Sequence, residues 1–179
     1  AELARQRSDE ARNGLAALGT PTLLDLPDGQ LADAPNARNR IKDFICDAAP
    51  NLVITHAPED YHPDHRALGE TVRDASYMVT VPHVCPETPY LRKDPVVAYV
   101  WDVFTRPTEL RGDVVVDVTD RLDTIARMLA CHESQIFEWL PYNWRLEADV
   151  PEDPAGRLAF ARQLFETKMA ENTERYRAQ

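Results

Sequence analysis

The sequence predicts an α/β protein, a sandwich in which helices cover a mostly parallel β-sheet. Two observations carry this expectation. Amphipathic helical segments alternate with short apolar runs along the first part of the chain. Within the run at residues 51–55, Leu52, Val53 and Ile54 are continuously apolar, the pattern of a strand buried on both faces in a parallel sheet.

Residues 3–18 place Leu3, Ala4, Ala11, Leu15 and Leu18 at helical spacing, and Gly19 is suited to end that helix. Residues 22–26 form a short apolar run that stops at Pro27, Asp28 and Gly29, which reads as a strand and a turn. Over residues 37–49, Ile41, Phe44 and Ile45 make one face of a second helix, and Pro50 prevents its continuation. The strand at 51–55 follows, then a polar loop, then a helix from His65 to about residue 79 with Ala67, Leu68, Val72 and Ala75 inside. The loop therefore leaves the carboxyl end of a strand, where open α/β sheets place their ligands.

Residues 82–95 are proline-rich and without period, an irregular connection. Further strands are expected at 96–101 and 113–118. Asp120 can cap a helix running to Trp139, residues 141–154 read as a second long loop, and Pro154 suits the first turn of a terminal helix reaching Tyr176. At 179 residues the chain is expected to form a single domain.

Charge narrows the partner classes. With 20 basic against 30 acidic residues the net charge is −10, the wrong sign for a nucleic-acid partner, and a neutral or polar small molecule is easier to accommodate. No run approaches the roughly 18 apolar residues of a membrane segment. Cys46, Cys85 and Cys131 are far apart and form no CxxC pair, so neither a zinc knuckle nor a redox dithiol is indicated, and a reducing cytoplasmic location is expected.

The chemistry concentrates in one loop. His56, His62 and His65 fall together with Glu59, Asp60 and Asp64, a candidate metal or acid/base cluster. Imidazole and carboxylate are ligands that zinc accepts, and a catalytic zinc uses three while leaving a position for water. Asp64, between two histidines, could supply the hydrogen bond that fixes a ring's tautomer. On spacing alone a second reading stays open, in which these groups solvate a loop and cap the next helix.

The segment from Thr55 to Gly69, with His56, Pro58, Asp60, His62, Pro63, Asp64 and His65, closely resembles the second signature of the PIG-L/LmbE family of zinc-dependent N-deacetylases. Other segments fit in the same order: Arg7 and Glu10 with Leu18 and Gly19, then Leu26, Pro27, Asp28 and Gly29, then Asp33, and finally His132, Ser134 and Gln135. The likeness runs from the first helix to at least Trp139. It implies a Rossmann-like three-layer sandwich with a mostly parallel sheet and Zn2+ as cofactor. The implied reaction is hydrolysis of an N-acyl amide, N-acetyl in the first place, on an amino sugar or sugar conjugate by a metal-activated water. It also implies a homo-oligomer.

Carried over residue by residue, the resemblance makes His65 a zinc ligand. His62, protonated, polarises the amide carbonyl and meets the oxyanion, and Asp64 orients His62. Arg7 matches an arginine at the substrate pocket that contacts a hydroxyl or acyl oxygen. Asp60 and Tyr61 adjoin the cluster and are candidate substrate contacts. His132 reads as structural or as pocket wall, and Ile125 stands where a lysine is often found. Trp101, Trp139, Tyr142 and Trp144 either line a sugar cleft or pack the core.

The family's first signature, Ala-His-Pro-Asp-Asp, supplies the other two zinc ligands and the general base, and it does not occur here. The expectation is a single α/β deacetylase-like domain that begins downstream of that strand. With His65 as the one family-matched ligand, the segment by itself should be inactive. The competing reading is a non-catalytic binding or scaffold protein that has lost its zinc site. Phosphoester hydrolysis would need more carboxylate ligands than this loop provides.

Overall fold

The computed structural model describes residues 2–34, 36–84, 86–100, 102, 104, 106, 111–146 and 150–176. In chain order the elements are α1 (Glu2–Leu15), a 3-10 turn (Leu31–Asp33), α2 (Ala37–Ala48), β1 (Leu52–Thr55), α3 (Pro63–Met78), β2 (Val96–Tyr99), a 3-10 turn (Thr119–Arg121), α4 (Leu122–Ala130), a π-helical turn (Ser134–Trp139), α5 (Leu140–Trp144) and α6 (Pro154–Tyr176). Helices and a small parallel sheet together make a mixed α/β arrangement. The backbone groups into two compact units, Leu24–Gly112 and a second made of Ala1–Leu23 with Asp113–Gln179. Cys85 and Trp101 lie outside the described residues.

In the unit Leu24–Gly112, β1 and β2 pair in parallel, from Leu52 opposite Val96 to Thr55 opposite Tyr99. A parallel pair needs a crossover, and α3 lies within it. Ile41, Ile45 and Cys46 of α2 pack with Val72 and Ala75 of α3 and with Val79, and Val53 and Val97 of the sheet close the same core. These strand residues alternate with Leu52, Ile54 and Val96, whose side chains are 49%, 61% and 62% exposed on the other face. The expectation of a strand buried on both faces thus holds for one face, because the α2 and α3 core residues meet Val53 and Val97 and not their alternates.

The expected strand at 22–26 is irregular chain. Asp25 has φ of 49°, a left-handed turn in the middle of what would be an extended run. Leu24 still packs on the core, and its carbonyl accepts a hydrogen bond from Arg40 Nη2.

In the other unit, α1 packs on α4 and α4 on α6. Ile136, Phe137 and Ala161 are its buried apolar centre, with Leu129, Leu140, Phe160 and Leu164 around them. The Glu10 carboxylate, buried on α1, accepts from Ser134 N (2.9 Å), Ser134 Oγ (2.7 Å) and Gln6 Nε2 (3.0 Å). Burial works to raise the Glu10 pKa, but these hydrogen bonds outweigh it and hold the carboxyl below its ordinary value. Gly14 lets α1 close on α4: a Cβ there would lie 2.7 Å from His132 Nε2 and 3.1 Å from the Met128 carbonyl oxygen.

Two expected elements in this unit differ. Residues 113–118 take part in no strand pairing among the described residues, and Val114, Val115 and Val116 are exposed. Asp117 accepts from both the amide and the hydroxyl of Thr119 at 2.9 and 2.6 Å, which draws the chain into a turn where a strand would continue. The helix expected to run to Trp139 stops at Ala130 and resumes as a π-helical turn, where Leu140 N–H reaches the Gln135 carbonyl. Pro141 has no N–H to donate and its ring crowds the preceding turn, and widening the helix there relieves the conflict.

Candidate metal centre

Three elements of the unit Leu24–Gly112 build the site. β1 ends at Thr55, so His56 leaves the carboxyl end of a strand. The loop 57–61 carries Asp60 and Tyr61, and Arg66 Nη1 ties its end down by donating to the carbonyls of Asp60 (2.8 Å) and Tyr61 (3.0 Å). α3 begins two residues before its sequence-predicted start, because His62 is its N-cap and Pro63 occupies the first turn, where a missing N–H costs nothing. His65 is thereby placed in the first turn of a helix.

His62 caps the helix in an unusual way. Its backbone is extended, and its ring Nδ1 accepts the main-chain N–H of Asp64 at 3.2 Å. This is the role Ser, Thr, Asp or Asn plays at most helix starts. A ring nitrogen that accepts carries no proton, so the neutral imidazole bears its N–H at Nε2.

Asp60 is the hub. Its side chain is 1% exposed, and Oδ1 accepts from His65 Nδ1 at 2.9 Å and from His62 N at 2.8 Å. Oδ2 lies 3.7 Å from His56 Nδ1. The rings of His56 and His65 stack with centroids 3.7 Å apart and planes 7° from parallel. Burial, then the neighbouring His65, lowers the pKa of His56 against the opposing pull of Asp60 and Asp102, which favours the neutral ring.

Tyr61 is exposed and meets His62 and His65 edge-on, with centroid distances of 5.9 and 5.4 Å, while its ring lies over Phe104 at 6.3 Å. Partial desolvation, then the charges of Asp60 and Asp102, raises its pKa.

Asp64 is turned elsewhere. Its carboxylate accepts the amides of Gly29 (2.5 Å) and Leu31 (2.9 Å), so it clamps the turn that Pro27, Asp28 and Gly29 announce in the sequence. The group that meets the His62 ring is the Asp64 main-chain amide. Arg7 is exposed on α1, in the other compact unit. The structure thus brings His56, Asp60, Tyr61, His62 and His65 together.

The ligand atoms of His56, Asp60 and His65 all lie within 4.8 Å of one another. Two imidazoles and a carboxylate are a donor set that suits zinc and its neighbours in the transition series. The residues present therefore fit a metal of this kind.

Residues 1–76 match the sequence pattern of the PIG-L family, described as GlcNAc-PI de-N-acetylase. Over this segment the chain is similar to the PIG-L family. A comparison with curated proteins gives no match. The PIG-L segment runs from α1 through most of α3, and so contains every member of the histidine cluster. No helix among the described residues is long and apolar enough to cross a membrane.

Sequence reasoning placed Asp60 in the candidate cluster and as a candidate substrate contact, and did not single out the buried carboxylate that lies against two rings. The signal was present as a carboxylate four residues after His56 and five before His65. It also left unassigned the small residue at Gly69, where a Cβ would come within 2.5 Å of the His56 carbonyl oxygen.

Proposed function

We propose that the chain carries the His-Pro-Asp-His part of a zinc-dependent N-deacetylase site that hydrolyses an N-acyl amide, acetyl first, on an amino sugar or sugar conjugate. The observation that carries this reading is the buried Asp60 carboxylate holding His65 by Nδ1 beside His62, within a PIG-L family segment. On this reading the two-stranded sheet belongs to a Rossmann-like three-layer sandwich, and the protein is a cytoplasmic homo-oligomer.

The tasks of His65, His62 and Asp64 rest on their contacts, and those of Tyr61 and Arg7 on the family resemblance. His65 gives Nδ1–H to Asp60, leaving the Nε2 lone pair to hold the metal, the arrangement that metal-ligating histidines favour. His62 presents Nε2–H as donor to the amide carbonyl oxygen and then to the oxyanion, because its Nδ1 is engaged with the Asp64 amide. Asp64 fixes that geometry from the main chain and holds the 27–31 turn beside it. Tyr61 offers an exposed aromatic edge to a sugar, and Arg7 contacts a hydroxyl or acyl oxygen of the substrate. Zinc, where bound, supplies a Lewis acid and a water of lowered pKa.

The test is acetate release from a panel of N-acetylated sugars and sugar conjugates by the full protein loaded with zinc. His65→Ala should lose zinc and activity together, whereas His62→Ala should keep zinc and lose turnover by about 10²–10³-fold, the usual effect of removing an oxyanion donor. Equal zinc content and unchanged rates in both variants would refute these roles. Zinc binding without release of acetate from any substrate would favour a non-catalytic binding protein.

A further inference from the structure

We infer that Phe104, on the chain that leaves β2, is a specificity-determining residue: its ring stacks on the sugar ring that carries the N-acyl group and selects cyclic over open-chain substrates. The inference rests on the deacetylase reading and goes beyond it by giving a task to a residue outside the histidine loop.

The sheet sets the position. β1 and β2 run parallel with Thr55 opposite Tyr99, and the Val100 amide donates to the Thr55 carbonyl at 2.8 Å. Both chains therefore leave the sheet at the same end, His56 following β1, and Val100, Asp102 and Phe104 following β2. Open α/β sheets bind ligands in the crevice outside the carboxyl ends of their strands. The histidine loop comes from one of these chains and Phe104 from the other.

Phe104 is folded in toward that loop. Its amide donates to Asp102 Oδ1 at 3.0 Å, a two-residue turn closed by a side chain. The charge of Asp102 acts on both His56 and Tyr61, so the turn lies beside them. The Phe104 ring then lies over the Tyr61 ring, with centroids 6.3 Å apart and planes 26° from parallel, an offset stack. Tyr61 in turn meets His62 edge-on at 5.9 Å. One ring thus separates Phe104 from the imidazole that faces the acyl carbonyl.

The uncovered surface points to its occupant. Tyr61 is 57% and Phe104 38% exposed, and neither belongs to the apolar core of this unit, which is built on α2, α3 and the inner face of the sheet. The two rings make a slab of aromatic carbon with the half-buried Asp102 carboxylate, a hydrogen-bond acceptor, near its edge. Small-molecule sites combine apolar and aromatic walls with a few placed polar groups in this way. A pyranose fits such a wall, because one face of the ring presents C–H groups to the aromatic carbon while hydroxyls project from its rim. An open-chain amine with the same hydroxyls has no such face. A ring stacked equally well before and during the reaction contributes uniform binding, which is read in KM and not in kcat.

The test compares two acetamides on the full chain loaded with zinc: methyl N-acetyl-β-D-glucosaminide, and N-acetyl-D-glucosaminitol, the open-chain alditol with the same amide. Phe104→Ala should raise KM for the glycoside by about tenfold, the order expected when part of an aromatic side chain's burial is lost, with kcat and zinc content kept. KM for the alditol should not move, and Phe104→Tyr should keep the wild-type KM for the glycoside. A binding measurement stands apart from turnover. In proton NMR spectra of the glycoside, the wild type and Phe104→Tyr should shift ring C–H resonances upfield, and Phe104→Ala should not. Such shifts with a wild type that releases no acetate would sink the deacetylase reading and leave the stacking role of Phe104 standing. Acetate release with equal losses on glycoside and alditol, or with KM and NMR shifts unchanged in Phe104→Ala, overturns the inference and leaves the deacetylase reading standing. A wild type that neither deacetylates nor binds the glycoside overturns both.

Discussion

Gly69 lies against the carbonyl oxygen of His56, so closely that a Cβ at position 69 would stand 2.5 Å from that oxygen and 3.0 Å from Ala57 C and Pro58 N. The neighbours are main-chain atoms, which cannot swing aside as a side chain can. Residues four apart share a helix face, so the surface of α3 that Gly69 brings to the chain after β1 is the surface that carries His65. The absence of a side chain at Gly69 thus lets α3 lie directly against the main chain that carries His56.

Gly69→Ala should accordingly destabilise the protein, although alanine gains about 1 kcal/mol in an unconstrained helix. Overpacking against backbone costs typically about 1–3 kcal/mol. The expected result is a lower urea midpoint, with less zinc bound even under conditions where the variant is fully folded. A midpoint equal to or above that of the wild type would show that α3 can withdraw freely.

Asp64→Ala separates two jobs in one residue. The carboxylate is the acceptor for Gly29 and Leu31, while the main-chain amide that meets His62 survives the substitution. Amide hydrogen exchange at Gly29 and Leu31 should accelerate by about tenfold or more, the equivalent of losing a hydrogen bond worth about 1.5–3 kcal/mol to a charged acceptor. The His62 ring should keep its tautomer, read from its nitrogen chemical shifts. A changed tautomer with unchanged exchange would reverse the assignment.

Glu10 gives the acid limb of stability. Its pKa is lowered in the folded protein from 4.5, so its contribution is present above that value and is lost as pH falls through the folded one. The urea midpoint of the wild type should therefore fall on acidification from pH 6 to pH 3, and Glu10→Gln should flatten that limb. At neutral pH the variant should be less stable by about 1–3 kcal/mol, since the Ser134 amide and hydroxyl lose a charged acceptor.

Gly14 and His132 form a pair that a double-mutant cycle can isolate. Gly14→Ala puts a methyl group 2.7 Å from His132 Nε2 and should lower the melting temperature. Adding His132→Ala removes the obstructing ring, and the double variant should be more stable than the sum of the two single changes predicts. Strict additivity would mean that the Met128 carbonyl, at 3.1 Å, is the true obstacle.

Legibility in the sequence followed how local each determinant is. β1 and β2 were visible because Leu52, Val53 and Ile54 and the valines at 96 and 97 are β-formers in short bounded runs. The same composition at Val114, Val115 and Val116 gives no strand, since β-propensity is expressed only against a paired neighbour. The histidine cluster could be read as a cluster, and its nearness to the carboxyl end of β1 with it. What each carboxylate binds could not: Asp60 meets rings on either side of it in the chain, and the partners of Asp64 lie 33 and 35 positions away. The capping role of His62 was hidden because an imidazole seldom performs it.

The separation between Asp64 and the amides it accepts also bears on the order in which the molecule assembles. Joining Gly29 to Asp64 closes a span of 35 residues, and such closure entropy must be met before the bond repays it. α3 can form early from its own i, i+4 bonds, whereas the clamp on the 27–31 turn has to wait for α2 and β1 to fall into place between them. Removing the Asp64 carboxylate should therefore hasten unfolding and leave the folding rate almost untouched. The neighbourhood of His62 would then be among the last parts of the chain to reach native form, and among the first to leave it.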